Sequence, residues 1–111
     1  MARGINETDW KMLRQLHLVA LERLCERILA EVNRICSDTN DTFHQRYLDV
    51  FDVVQSQNEN MSRIFDDSKR STALMQLAAI RSQCLITDDE FNQFSEETRA
   101  LIEIMIGSDR A

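Results

Sequence analysis

Ser37-Asp38-Thr39-Asn40-Asp41-Thr42 is the stretch on which the fold turns. Six consecutive small polar residues favour turns and helix N-caps, because their short side chains bond the local backbone. Long periodic runs lie on both sides of it. Upstream, with residues placed 100° apart, Trp10, His17, Leu21, Leu24, Cys25, Ile28, Val32 and Ile35 share one face. This predicts a helix from Thr8 or Asp9, either of which can cap it, to Cys36. Downstream, Phe43, Tyr47, Phe51, Val54, Asn58, Met61 and Phe65 form a second stripe, which predicts a helix to about Asp66. A short polar connection between two long helices makes them an antiparallel hairpin.

Further along, Ala73, Leu74, Leu77, Ile80 and Cys84 form a third stripe, rotated by roughly a third of a turn from the second. That phase change predicts a break or sharp kink near Asp67, with Ser71 as a plain N-cap. Thr87-Asp88-Asp89-Glu90 matches a capping box, and Ile86 with Phe91 occupies the positions of a hydrophobic staple. The fourth helix places Phe91, Phe94, Leu101, Ile102 and Met105 inward, with Ser95-Glu96-Glu97 able to restart it and Gly107 as its C-cap. The chain holds no proline and only two glycines, Gly4 and Gly107, too few for the tight turns of a β-rich fold. The expected architecture is all-α: one domain over residues 1–111, an antiparallel bundle of about four helices.

Apolar residues at 43% and charged residues at 29% suit a globular chain rather than a disordered one. A net charge of −6 argues against nucleic-acid binding through a general basic surface. The charge alternates by segment: +1 over 1–36, −5 over 37–67, +3 over 68–86 and −5 over 87–111, the pattern of solvated helix faces. Met1–Asp9 is polar and no secretory apolar segment follows, and no apolar run is long enough for a membrane. Cys25, Cys36 and Cys84 are odd in number and lack paired spacing, which fits reduced thiols and a cytoplasmic setting.

A second apolar row, Met12, Leu16 and Val19, lies nearly opposite the main stripe of the first helix. One neighbouring helix cannot cover both rows. A helix of this length also overhangs a compact globule of 111 residues, whose diameter is roughly 34 Å. Together these predict a homodimer, or a groove for a partner helix, with Met12, Leu16 and Val19 as contacts and Trp10 as an aromatic anchor.

Hairpin pairing about Asn40 brings His17 to Asn58 and Ser62, an expected buried polar layer, and a ligand or enzymatic site around His17, Asn58 and Arg81 is the alternative. Catalytic chemistry is otherwise poorly supplied. There is no pair of Glu-x-x-His motifs, no glycine-rich phosphate loop and no Gly-x-Ser-x-Gly elbow, so neither a metal nor another cofactor is expected. The function that follows is a non-catalytic, self-associating interaction or adaptor protein.

Overall fold

The computed structural model describes residues 4–66 and 68–110, with side chains described as far as residue 107. The chain is an all-α bundle: α1 Glu7–Ser37, α2 Phe43–Phe65, a single 3-10 turn at Arg70–Thr72, α3 Ala73–Ser82, α4 Asp88–Phe91 and α5 Glu96–Arg110. No strand occurs among the described residues, and no helix in them is long and apolar enough to cross a membrane. Asp67, where the sequence places the break, lies outside the described residues. Helical structure nevertheless ends at Phe65 and resumes at Arg70, so α2 and α3 are separate helices.

Local signals set most boundaries. Thr42 caps α2 by accepting from the Gln45 amide at 3.0 Å. The Thr87–Glu90 capping box forms in both directions, at 2.8 and 3.1 Å. It opens only one turn, however, and the chain restarts as α5 at Glu96. Three expectations need correction. The cap of α1 is Asn6, whose Oδ1 accepts from the Asp9 amide at 2.8 Å, rather than Thr8 or Asp9. Ser71 sits inside the 3-10 turn, and Gly107 lies within α5 rather than ending it.

The two apolar rows of α1 prove to be the margins of one broad buried face. Its deepest residues are Leu13 and Ala20, which point between the rows, and Leu16 and Leu24, the inner members of each row. The hairpin partner α2 covers one margin, where Leu21 and Ile28 are half-buried, and Trp10 packs against the core beyond the end of α2. On the other side Ala73, Leu77 and Ile80 of α3, Phe91, Phe94, and Ile102 and Ile106 of α5 complete the core. Cys84 and Leu101, expected inward, are exposed, and Ile106 takes the inward position near the end of α5.

Two arginines of α1 fasten the connection between α3 and α4. Arg23 donates to both carboxylate oxygens of Glu90, at 2.6 and 3.0 Å, and to the Leu85 carbonyl at 3.0 Å. Those bonds hold the Glu90 carboxyl down, to about 2, against the opposing effect of its partial burial. Arg27 donates to the Gln83 carbonyl at 2.6 Å and to that of Cys84. Cys84 itself takes φ 58°, a left-handed conformation that costs an ordinary residue about 1–2 kcal/mol. The Arg27 bonds offset that strain and close the turn.

Candidate interaction surface

Burial along the hairpin is uneven. The core ends partway along it: Ile64 and Phe65 are the only buried residues of α2, and Ile35 is the only buried residue of α1 beyond Leu24. From about residue 28 outward, α1 and α2 have only each other. The molecule therefore measures 57 × 25 × 23 Å, with a radius of gyration of 16.8 Å against roughly 13 Å for a compact chain of this length. Helix lengths explain why. At 1.5 Å per residue α1 is about 46 Å long, whereas α3 and α5 are about 15 and 22 Å.

Within the projecting hairpin, α2 turns a half-buried row toward α1: Arg46, Val50, Val53, Gln57 and, at the core, Ile64. Arg46 secures the distal end by donating to the Cys36 carbonyl at 2.8 Å, and its guanidinium lies 4.4 Å from the centre of the Phe43 ring. The apolar stripe of α2 points elsewhere. Phe43, Tyr47, Phe51 and Val54 are rotated by roughly 80–100° from the α1-facing row, and they are 83%, 68%, 54% and 49% exposed. Asn60 bonds Gln83 at 3.0 Å, which places α3 on the opposite flank of α2. On α1, Leu18 and Leu29 project to the same uncovered flank as the stripe. The stripe continues into the core through half-buried Met61 and buried Phe65.

This surface is not the one expected from the sequence. Leu16 is in the core and Met12 is packed against it, because α3 to α5 fold over that row. Trp10 is half-buried beneath the Arg14 guanidinium, 5.7 Å from the ring centre, and Val19 remains at the edge, 38% exposed. Conversely, the stripe of α2 was expected inward, and its first three turns face out. The overhang legible in the sequence leaves the α2 stripe uncovered rather than the Met12 row: helices of 10 and 15 residues cannot accompany a 31-residue helix along its length.

The expected polar layer does not form. His17 stacks on Phe65, with ring centres 5.0 Å apart and planes at 14°. Asn58 and Ser62 are exposed, and the Ser62 hydroxyl donates to Asp66. Arg81 is engaged on another element, bonding Asp88 at 2.8 Å and covering the Phe91 ring at 4.5 Å. The structure therefore does not bring His17, Asn58 and Arg81 together. Among the described residues no three His, Cys, Asp or Glu side chains are placed to hold a metal ion. Cys25 is half-buried, and Cys36 and Cys84 are exposed.

His17 Nε2 is buried without a hydrogen-bond partner. An unsatisfied buried polar atom costs roughly 1–3 kcal/mol. His17→Leu is thus expected to keep the fold and to melt at the wild-type temperature or a few degrees above it, followed by circular dichroism. A fall of more than about 10 °C would show that the ring stack on Phe65 outweighs the cost of the buried nitrogen.

Compared with family models, with curated proteins and with solved structures, the chain has no match. Its function is read from the site alone.

Proposed function

We propose that the chain is a non-catalytic helical interaction module that binds another protein molecule through the uncovered flank of its α1–α2 hairpin. One observation carries this reading. Phe43, Tyr47, Phe51 and Val54 form an exposed apolar stripe with no charged residue in it, on a stretch of the hairpin that the core formed by the other described helices does not reach. Tyrosine and phenylalanine dominate interface energetics because each removes a large apolar area from water at low entropy cost. A contiguous exposed patch of this kind marks an interaction site more often than an idle surface. The cytoplasm is the setting the three unpaired thiols favour.

The test is positional. A photo-crosslinking amino acid placed at Tyr47, and separately at exposed Ser56 on the opposite side of α2, is irradiated in native extract. Protein adducts, whether with the chain itself or with another protein, are expected from position 47 and not from 56. Equal labelling at the two positions, or none at either, would sink the reading.

A further inference from the structure

We infer that the occupant of this flank is a second copy of the chain, joined α2 to α2 in antiparallel register about a two-fold axis between Phe51 and Val54. This rests on the proposed docking role and names the partner for the same surface. Three observations lead to it.

The first is area. Aromatic side chains carry roughly 200 Å² each, so the exposed fractions of Phe43, Tyr47 and Phe51 leave about 400 Å² uncovered. Val54, Leu18 and Leu29, at about 100 Å² of apolar surface each, add nearly 200 Å². Homodimer interfaces are about 65% apolar, so some 600 Å² of apolar surface corresponds to about 900 Å² of contact per copy. A stable association requires about 800 Å² per partner.

The second is spacing. The stripe positions 47, 51, 54 and 58 map onto themselves when the helix is reversed about the midpoint of residues 52 and 53. Phe51 then opposes the partner's Val54 and Tyr47 the partner's Asn58, while Phe43 and the partner's Met61 lie one residue, about 1.5 Å, out of level at the two ends. Isologous contact requires this self-complementarity, in which each residue meets another member of the same set. Tyr47 and Asn58 also match chemically, a phenol facing an amide.

The third is charge. The molecule carries −6, and two such chains repel unless their meeting surfaces are neutral. Asp49, Asp52, Glu59 and Arg63 of α2 all lie off the stripe, so the two α2 stripes oppose no like charges where they meet.

Light scattering on the eluting full-length chain, across about 1–100 μM, tests this directly. The wild type is expected at twice its 13.0 kDa chain mass in the upper part of that range. Phe51→Glu is expected to weaken the dimer at least tenfold. Met75→Glu, at a residue 70% exposed on α3, is expected to leave it unchanged. A wild-type monomer at 100 μM, or a dimer indifferent to Phe51→Glu, would overturn the inference. If that monomer still crosslinks from position 47 to a different protein, the second copy is refuted while the docking role stands.

Discussion

Leu16→Glu is expected to unfold the chain, while Val19→Glu, three residues on, leaves its helicity and melting temperature close to wild type. The two side chains belong to the same apolar row of α1, yet Leu16 is 9% exposed and Val19 38%. Leu16 lies in one cluster with Leu13 and Ala20 of its own helix and with the inward residues of α3 and α5. Its loss removes about 2 kcal/mol of apolar burial. The incoming carboxylate finds no described basic side chain buried beside it, so it must either stay charged without a partner or fold only when protonated, at several kcal/mol more. Domains of this size are stable by only about 5–15 kcal/mol, so the sum consumes most or all of the margin. At Val19 the new carboxylate reaches water, and the change falls within the small range typical of surface substitutions. Circular dichroism at 222 nm with a thermal ramp separates the cases. Cooperative, wild-type-like melting of Leu16→Glu would mean that α3 to α5 do not cover this row.

The contrast also explains what periodicity in this chain reveals and what it leaves open. A 100° projection finds the apolar directions of a helix, and it found both margins of the α1 face. It says nothing about which neighbour fills each direction, because that depends on elements far along the chain. Thus Met12 and Leu16 were taken for an outward row, although Ala73, Leu77 and Ile102 lie more than fifty residues away and cover it. The stripe of α2 was misread in the opposite sense, its sixteen-residue run from Phe43 to Asn58 looking no different from a core face. Pairing across the hairpin failed for a related reason. His17 meets Phe65 rather than Ser62, a slip of three residues, and each residue of slip turns a helix by 100°. Signals carried by several neighbouring residues together survive better. The Thr87–Glu90 box and the polar break at 37–42 form as expected, whereas the single-residue caps at Thr8 or Asp9, Ser71 and Gly107 do not, because one residue's preference is weaker than a reciprocal pair or a six-residue run. The role of Asp9 was the least legible: an acidic residue in a first helical turn is ordinary, and its partners are 86 and 89 residues away.

That carboxylate supplies the second large effect, and its size is expected to depend on pH. Asp9 is 2% exposed. Its oxygens accept from the Ser95 amide at 3.1 Å, the Ser95 hydroxyl at 2.6 Å, the Thr98 hydroxyl at 2.6 Å and the Asn6 side-chain amide at 3.0 Å. One charge thereby serves the positive ends of two helices, α1 from within its first turn and α5 through the residues that open it. Burial pushes the Asp9 carboxyl up, but the bonds from Ser95, Thr98 and Asn6 outweigh it and hold the group below its ordinary value. Asp9→Ala leaves the Thr98 hydroxyl and the Ser95 amide without their acceptor, and the expected loss at neutral pH is about 3 kcal/mol. For a chain of this length that corresponds to a melting temperature lower by about 15 °C. The sign with pH follows from the lowered value. A group ionised more readily when folded adds stability that is complete above its unfolded pKa, near 4, and is lost as pH falls through its folded one. Glu90, held at about 2 by Arg23, loses its contribution over the same acidic window in both proteins. Melting wild type and Asp9→Ala in parallel from pH 7 to pH 2 should therefore show a gap that is constant down to about pH 5 and narrows below it. A gap that persists undiminished at pH 2 would mean that Asp9 acts through its shape, and that the charge shared by the two helix ends contributes nothing.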